Sequence, residues 1–267
     1  MSDIEIDYPG DGICRLTLNR PDSLNAFTFP MYEELLAKLE ALRFDLSVRV
    51  VILTGAGRGF CAGHDIRNGG EPGWVSANAG KAQRFRAVMA KLGAIPSAMR
   101  AIPQPIITAV NGVTSGLGYS IALAADLCLA ARSAKFINGF HNVGTGHELG
   151  LSYMLPRLIG HQRAAELLLT ARPVLAEEAA SMGMILRTVE DDELSEAAIA
   201  LARQIMLNSP VGISVTKQSI WLNADVGSLE AAIEMENRAI FLSQTTEDTA
   251  EKRASVIAKR QPEFHQR

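Results

Sequence analysis

Two glycine-bounded turns are the segments of this sequence best suited to chemistry. The first glycine turn is Phe60-Cys61-Ala62-Gly63-His64-Asp65, and the second runs from Asn111 to Gly118. Each follows an apolar, strand-like run, and glycine lets the backbone turn tightly enough to expose an N–H group. Two such donors aimed at one point form an oxyanion hole, which stabilises charge on a carbonyl oxygen in an enolate or a tetrahedral adduct. The turns therefore indicate a class of transition state more clearly than a specific reaction.

Composition and charge exclude some classes of function. The chain has 267 residues, of which 48% are hydrophobic and 21% are charged. These values are typical of one large globular domain, or of one domain with an appended helical lobe. The formal net charge is -3 and the sequence pI is about 6.0. Because this chain has no overall basic field, we expect neither a nucleic acid nor a membrane as its partner.

The three cysteines indicate reduced core thiols. Cys14, Cys61 and Cys128 are odd in number, widely spaced and set among apolar neighbours, and they form no C-x-x-C pair. No companion histidine cluster has zinc-ligand spacing, so we expect no bound metal.

The first residues are acidic and polar, unlike a signal peptide, and Pro, Gly or charged residues interrupt every apolar run before membrane-spanning length. The cytoplasm is the expected location.

Hydrophobic periodicity predicts an α/β core in the first half of the chain. Alternating apolar residues at 4–8 and 14–18, separated by a Pro- and Gly-rich turn, predict a β-hairpin. Apolar residues recur every three to four positions from Met31 to Leu42 and predict a helix with one buried face. The uninterrupted apolar runs at 48–53, 106–110 and 127–130 are typical of strands covered on both faces. The glycine turns are expected at the ends of such strands.

A loop and a helical region complete the predicted organisation. Glycines and a proline at 69–73, followed by a basic stretch, predict a mobile loop that leads into a helix and covers a ligand. After about residue 140 the pattern becomes helical, with breaks at glycines and prolines. The predicted helices are 163–170, 176–182, 193–206, 211–222, 228–242 and 249–259. The region from Val211 onward is the best candidate for assembly.

Four groups of motifs occur in order along nearly the whole chain. They are Asn19-Arg20-Pro21 with Asn25-Ala26, Leu53 to Gly57 with the first glycine turn, Asn111-Gly112 with Gly116 and Gly118, and Leu155 to Leu158 with Gly160. In their joint order and spacing they resemble the crotonase, or enoyl-CoA hydratase/isomerase, superfamily. The resemblance implies an α/β fold with a ββα superhelix core over 1–200 and a C-terminal helical trimerisation region over 201–267. It also implies a homotrimer or a hexamer.

The resemblance further implies an acyl-CoA thioester as substrate, with no tightly bound cofactor. Its oxyanion hole would use the N–H groups of His64 and Leu117, which follow Gly63 and Gly116. The residues that would contact the substrate or its CoA are Asn25, Ala26, Ala62, Gly63, Asp65, Ile66 and Gly116, with Lys252, Arg253, Lys259 and Arg260 near the CoA phosphates. A solvated helix face is the alternative interpretation of these four basic residues. Asp65 is also a candidate cap for a helix after the first glycine turn.

The positions of the family's acid and base are altered in this chain. In the hydratases of the family, two glutamates hold the water that adds to the double bond. Alignment on the second glycine turn and on Asp126 places Ser120 and Phe140 at those positions. Serine needs a partner to lose its proton and phenylalanine has none to exchange, so neither is a general base. We therefore do not expect two-glutamate hydration, and we expect Phe140 to form a wall of the acyl pocket.

Glu148 is the remaining candidate acid. It lies in the segment 143–150, where the resemblance to dienoyl-CoA isomerases and 4-chlorobenzoyl-CoA dehalogenases implies a catalytic aspartate. One carboxylate is sufficient to move a proton between two carbons while the oxyanion hole holds the dienolate. Burial among apolar neighbours would raise the pKa of this carboxyl toward the working pH. The alternative is that Glu148 only stabilises the N-terminus of a helix over 149–158.

The leading hypothesis is a CoA-dependent isomerase or hydratase-like lyase that acts on an unsaturated acyl-CoA, with isomerisation favoured. One alternative is a non-catalytic acyl-CoA-binding homologue. A CoA-thioester dehalogenase would need a histidine that the stretch 84–100 does not contain. A serine hydrolase using Ser115 or Ser120, with His141 or His147 as base, would lack the usual G-x-S-x-G motif.

Overall fold

The computed structural model describes residues 2–266, which form two β-sheets surrounded by helices. The strands are β1 (Ile4–Gly10), β2 (Ile13–Leu18), β3 (Val50–Gly55), β4 (Gly59–Cys61), β5 (Ile106–Val110), β6 (Val113–Ser115), β7 (Leu127–Ala131), β8 (Lys135–Ile137), β9 (Val174–Leu175) and β10 (Arg187–Val189). The helices are α1 (Phe29–Phe44), α2 (Lys81–Ala101), α3 (Leu117–Ala124), α4 (Gly139–Asn142), α5 (Leu151–Ile159), α6 (His161–Thr170), α7 (Ala176–Ser181), α8 (Leu194–Met206), α9 (Pro210–Asn223), α10 (Leu229–Gln244) and α11 (Glu247–Ala258).

The larger sheet contains the strands that periodicity predicted. Its order is β1-β2-β3-β5-β7-β10, in which β1 and β2 form the predicted antiparallel hairpin and the other neighbours are parallel. Every residue of β5 is buried, as expected for a strand covered on both faces. Helices α3 and α8 both pack against β5 and β7. This sheet and its covering helices form the hydrophobic core.

The predicted helices are present, with ends shifted by a few residues. Helix α1 buries Met31, Leu35, Leu39 and Leu42, which are the residues of the predicted apolar face. The region after residue 140 is mainly helical, and the mixed segment before Pro103 continues into α2. The three cysteines are buried and free. Both results agree with the sequence analysis.

The second sheet was not predicted. It has the order β4-β6-β8-β9, and its strands are two or three residues long. The second glycine turn begins directly after β5, as expected, whereas the first begins within β4 and not at the end of β3. Each turn also contains residues of a short strand, Phe60 and Cys61 of β4 and all of β6. Strands β4 and β6 are hydrogen-bonded neighbours, which brings the two turns together.

Three glycines allow the backbone of the second sheet to pack directly on neighbouring backbone. A Cβ atom on Gly55 would lie 2.4 Å from the Gly59 carbonyl oxygen, and one on Gly112 would lie 2.2 Å from that of Arg58. A Cβ on Gly118 would lie 2.3 Å from the Cys61 oxygen. Real side chains do not fit at such distances, so these positions require glycine for space and not for φ.

A buried ion pair attaches α9 to the core. Lys217 of α9 is 4% exposed, and its Nζ lies 2.9 Å from Oδ2 of Asp126. The same ammonium donates to the carbonyl oxygens of Met99 and Gln104, at 2.8 Å each. Asp126 also accepts a hydrogen bond from Nε1 of Trp221 at 2.8 Å. These partners offset the desolvation of both charges, which a buried ion pair requires.

The last two helices expose many apolar side chains in the single chain. Helix α10 has no buried residue, and its Ile233, Ile240 and Phe241 face solvent. Within residues 2–266 no single helix is long and apolar enough to cross a membrane. The pair Asp191–Met206 and Pro210–Asn223 meets that length and composition jointly, with a bend of 106°. The domain boundary expected at residue 200 falls within α8 and stays a prediction, and its outer ends, residues 1 and 267, lie outside the described range.

Gly118→Ala is expected to destabilise the fold by about 1–3 kcal/mol. The new methyl group would meet the Cys61 backbone at 2.3 Å, and backbone cannot move aside as a flexible side chain can. Gly93→Ala is the matched control, because Gly93 also lies in a helix but has nothing within 4 Å of an added Cβ. That variant should gain about 0.5–1 kcal/mol from helix propensity. Urea denaturation of both variants checks this, and equal stabilities would contradict the packing argument.

Candidate active site

The two glycine turns lie side by side at one end of the second sheet. Strands β4 and β6 are parallel neighbours, so the residues that follow them emerge at the same edge. A Cβ on Gly63 would lie 3.3 Å from the Ser115 carbonyl oxygen, and one on Gly116 would lie 3.9 Å from the Cα of Gly63. Gly63 has a φ of 106° and Gly116 a φ of 53°, conformations that favour glycine. The turns are thus in direct contact.

The N–H group of His64 faces away from the neighbouring chain segment. The Phe27 N–H donates to the Gly63 carbonyl at 2.8 Å, and the Asp65 N–H donates to the Phe27 carbonyl at 2.9 Å. In such a parallel bridge, the polar groups of the residue between 63 and 65 point to the opposite side. For His64 that side is toward β6 and the second glycine turn. No acceptor in residues 2–266 bonds to this N–H.

Leu117 supplies the second free donor. It is the first residue of α3, and the first N–H groups of a helix have no partner within it. In the described part of the chain no other group accepts its N–H. The sequence analysis paired the N–H groups of Leu117 and His64, and the structure places both at the contact between the two glycine turns.

Glu148 lies in a non-helical segment between α4 and α5, and its carboxylate has no partner. Within residues 2–266 the side chain makes no hydrogen bond or ion pair, although it is partly buried. Burial raises the pKa of this carboxyl above its ordinary value. Helix α5 begins only at Leu151, and the carboxylate of Glu148 does not bond to its N–H groups. An acid without a partner is poised to exchange protons with a ligand.

Ser120 is connected to the same segment. Its side chain is fully buried, and its hydroxyl donates to the backbone carbonyl of Glu148 at 3.1 Å. The residue that replaces the first family glutamate thus fixes the main chain of the remaining acid. Leu149, the next residue, has a φ of 54°, which is strained for a non-glycine residue.

Phe140 lies beside the second glycine turn and packs against His147. The Phe140 ring is buried, and its Cε1 lies 3.8 Å from where a Cβ on Gly116 would be. Its ring meets that of His147 edge-on at 6.2 Å. Burial lowers the pKa of His147, and its Nδ1 is buried without a partner. The role of Phe140 as a wall of the acyl pocket stays a prediction.

The side chain of His64 belongs to an aromatic group that the sequence analysis did not identify. Nδ1 of His64 lies 3.1 Å from the hydroxyl of Tyr32, and the Phe29 ring lies 4.9 Å from the imidazole. Burial lowers the pKa of His64, so the neutral imidazole is favoured. The pKa of Tyr32 is raised mainly by burial, with smaller contributions from Cys61 and Glu148.

The side chain of Asn25 is used entirely by the fold. Its Oδ1 accepts the backbone N–H of Arg20 at 2.8 Å, and its Nδ2 donates to the carbonyls of Ala56 and Gly59. The residue is fully buried, with a φ of 56°. The side chain of Asn25 therefore holds the approach to the first glycine turn, and its predicted contact with CoA stays a prediction.

Asp65 is likewise engaged within the turn. Its Oδ1 accepts the N–H groups of Arg67 and Asn68, and its Oδ2 pairs with Arg20 at 3.0 Å. The Asn68 hydrogen bond is the largest of several that lower the pKa of this carboxyl. The expected helix cap is wrong, because 66–68 form a turn and the next helix, α2, begins at Lys81. An aspartate that caps a helix and one that forms an Asx turn have the same sequence pattern, so the sequence did not distinguish the two at Asp65.

The other predicted CoA contacts are scattered. Ala26 is buried, Ala62 is partly buried beside Gly63, and Ile66 is 74% exposed. On α11, Lys252 donates from Nζ to the Leu207 carbonyl at 2.6 Å. Lys259 follows the end of α11 and is exposed. In the single chain, the two lysines are not brought to the glycine turns by any described contact.

Comparison with known proteins identifies the family. The sequence matches the family model described as Enoyl-CoA hydratase/isomerase over residues 9–267. The chain belongs to this family, the crotonases. The probable enoyl-CoA hydratase echA12 of Mycobacterium bovis is 40% identical over 261 residues, which are 97% of this chain and 91% of that protein. The 1,2-epoxyphenylacetyl-CoA isomerase of Escherichia coli is 35% identical over 266 residues, 99% of each chain.

A solved crotonase-family structure confirms the fold. The crystal structure of a probable enoyl-CoA hydratase/isomerase from Mycobacterium abscessus has a TM-score of 0.91 and 34% identity, and the match covers 100% of both chains. The crotonase-like α/β fold and an enzyme of the hydratase/isomerase type, both inferred from the sequence, are confirmed. The roles of single residues and the C-terminal trimerisation stay predictions.

Glu148→Gln is expected to stabilise this crotonase at neutral pH. A carboxyl whose pKa is raised by folding contributes stability below its unfolded-state pKa, and that contribution is lost as the pH rises through the folded-state pKa. The amide avoids this loss. The difference in the free energy of unfolding between variant and wild type should therefore grow from pH 4.5, the ordinary value for this group, toward neutrality. Urea denaturation over that pH series measures it.

The control for this measurement is Glu193→Gln. Glu193 is exposed, and its side chain makes no hydrogen bond or ion pair among the described residues. Its substitution should leave the pH dependence of unfolding unchanged. A Glu148→Gln difference that stays constant across the pH series would contradict the burial of an unpaired carboxyl.

Proposed function

We propose that this protein isomerises the double bond of an unsaturated acyl-CoA thioester. The observation that carries the proposal is the contact between the two glycine turns, where two N–H groups have no partner. Helix α3, which begins at Leu117, also holds the backbone of Glu148 through the hydroxyl of Ser120, and the carboxylate of Glu148 has no partner. The N–H groups of His64 and Leu117 would hold the thioester oxygen, on which charge develops in the dienolate. Glu148 would take a proton from one carbon of the acyl chain and return it at another.

The raised pKa of Glu148 suits this task. A proton shuttle works best when its pKa is close to the operating pH, because it must both accept and donate. Burial without a donor moves the pKa of this carboxyl in that direction. The neutral imidazole of His64 and the ring of Phe140 would keep the surroundings of the shuttle free of competing charge.

Hydration is less well supported than isomerisation. Addition of water needs a group that holds and activates the water molecule, and the two positions that do this in the family carry Ser120 and Phe140. The Ser120 hydroxyl is committed to the carbonyl of Glu148, and Phe140 is apolar. One of the two relatives is named a probable hydratase and the other an isomerase, so their names do not distinguish the two reactions. The choice between hydration and isomerisation therefore rests on the residues of the site.

Two other candidates find less support in the geometry. A serine hydrolase needs a histidine bonded to its nucleophile, and in residues 2–266 neither Ser115 nor Ser120 bonds to one. A non-catalytic acyl-CoA-binding homologue is favoured by Ser120 and Phe140 alone. Against it stands the unpaired Glu148, which a protein without chemistry would have no reason to keep partly buried.

The assembly and location follow as parts of the same proposal. We infer a homotrimer or hexamer that covers the exposed apolar residues of α10, such as Ile233, Ile240 and Phe241. Lys252 and Lys259 would meet the CoA phosphates, in this assembly or within one chain. Three buried free thiols are consistent with the cytoplasm as the location.

Glu148→Gln is expected to lower kcat by about 100-fold to 10,000-fold, with KM within a few-fold of wild type, because the amide cannot accept the proton. The assay incubates a 3-enoyl-CoA with enzyme and analyses the product by mass spectrometry. Isomerisation leaves the mass unchanged, whereas hydration adds the mass of one water. Glu193→Gln should behave as wild type.

The wild-type pH profile provides a further check on Glu148. The shuttle must start as the carboxylate, so kcat should fall with decreasing pH through a pKa above 4.5, the ordinary value. Unchanged turnover in Glu148→Gln would remove this residue from the mechanism. A product heavier by one water would replace isomerisation with hydration.

Ser120→Ala is expected to lower kcat by about tenfold or more, with little change in KM, because the backbone of Glu148 loses its hydroxyl donor and a misplaced catalytic group loses rate steeply. Ser152→Ala is the control, since Ser152 is exposed on α5 and its hydroxyl makes no described hydrogen bond. Both variants are assayed with the same 3-enoyl-CoA. Equal kcat values would show that Ser120 does not position the acid.

A further inference from the structure

Arg100, in the last turn of α2, has a guanidinium without a hydrogen-bond acceptor or an ion-pair partner. The residue is partly buried, and its Nε is fully buried with no hydrogen-bond acceptor. Within residues 2–266 it makes neither a hydrogen bond nor an ion pair. Arginine remains charged in proteins, and a charged donor left unpaired away from water is costly. A partner outside the chain would explain why it is kept.

The two carboxylates near Arg100 are already engaged. Asp126 pairs with Lys217 at 2.9 Å and accepts from Trp221 at 2.8 Å. Asp225 pairs with Arg157 at 2.8 Å and also accepts from the hydroxyl of Tyr153. Both influence the pKa of Arg100, which burial lowers overall, but neither is bonded to it. Lys217, Trp221, Arg157 and Tyr153 each bond to one of these two carboxylates, whereas Arg100 bonds to neither.

Aromatic stacking fixes the plane of the Arg100 guanidinium. Its Cζ lies 3.7 Å from the centroid of the Trp221 ring and 5.8 Å from that of Tyr153. Stacking occupies the faces of the guanidinium and leaves its N–H donors pointing outward in the plane. Donors in this arrangement match the two oxygens of a carboxylate.

These donors border a cleft that adjoins the candidate active site. The cleft has a volume of about 260 Å³ and lies between α2 and the start of α5. Apart from Arg100 and Ser97 its lining is mainly apolar, with Pro96, Leu149 and Met154 among its walls. Leu149 and Gly150, the two residues after Glu148, line the cleft, so the cleft lies beside the segment that carries the candidate acid. An apolar cleft with one cation suits an aliphatic chain that ends in an anion.

We propose that Arg100 binds a carboxylate at the far end of the acyl group, which makes ω-carboxyacyl-CoA esters the preferred class of substrate. This inference rests on the proposed function in one respect, that an acyl-CoA occupies the site. It adds the chemistry of the acyl terminus, which no feature of the glycine turns or of Glu148 specifies.

The test compares binding of adipoyl-CoA and hexanoyl-CoA, two saturated six-carbon esters that differ in the terminal carboxylate. Isothermal titration calorimetry with the full-length wild-type protein should show adipoyl-CoA bound about tenfold more tightly, or better. Arg100→Met keeps an apolar side chain of similar length. It should abolish the difference and leave hexanoyl-CoA affinity within about twofold of wild type.

Ser97→Asp keeps the test decisive if Arg100→Met does not fold. Ser97 is exposed and lines the same cleft, so an added carboxylate there should weaken adipoyl-CoA binding selectively. Equal affinities of the two esters for wild type would overturn the role of Arg100 and leave the isomerase proposal intact. Failure of wild type to bind either ester would instead overturn the acyl-CoA site itself. Free adipate that binds as tightly as adipoyl-CoA would overturn the assignment to an acyl terminus.

Discussion

The direct contact of backbone with backbone between the two glycine turns is the constraint on which the rest of the site depends. Two N–H groups can serve one oxygen only if no side chain separates them. Gly63 and Gly116 provide this closeness through positive φ, and Gly118 provides it by leaving room for the Cys61 carbonyl. Pairing of β4 with β6 brings the turns together, and the bridge through Phe27 aims the His64 donor across the gap. The larger sheet supports this arrangement without contributing to it chemically.

The residues at the positions of the two family glutamates, Ser120 and Phe140, restrict the chemistry that this site can perform. A buried hydroxyl at Ser120 cannot activate water while it donates to the Glu148 carbonyl, but the same bond holds the remaining acid in place. The carboxyl of Glu148 is partly buried and unpaired, which disfavours its charge and raises its pKa. A destabilised group at a site is a common cost of catalytic function.

Sequence patterns predicted the long elements and failed on short ones for physical reasons. The apolar face of α1 and the buried runs of β3 and β5 extend over enough residues for the hydrophobic pattern to be recognised. Strands β4 and β6 have only three residues each, which is too few for such a pattern. The donors at His64 and Leu117 were predicted from the resemblance to the crotonases, because the glycine turns alone do not say which N–H groups they expose. The roles of Asn25 and Asp65 were not, since the sequence does not say which polar side chains the nearby backbone uses. Arg100 was missed because Trp221 is distant in sequence.

Glu148 and Arg100 contrast with two buried charges that the fold satisfies. Lys217 has an ion pair and two carbonyls, and Asp65 has three donors, as burial of a charge normally demands. The two unpaired groups do not neutralise each other, and Leu149 lies beside both. A ligand that spans them would gain binding free energy at Arg100, remote from the reacting carbons. Such remote binding can hold those carbons against Glu148, so an interaction that does no chemistry would still raise the rate of the proton transfer.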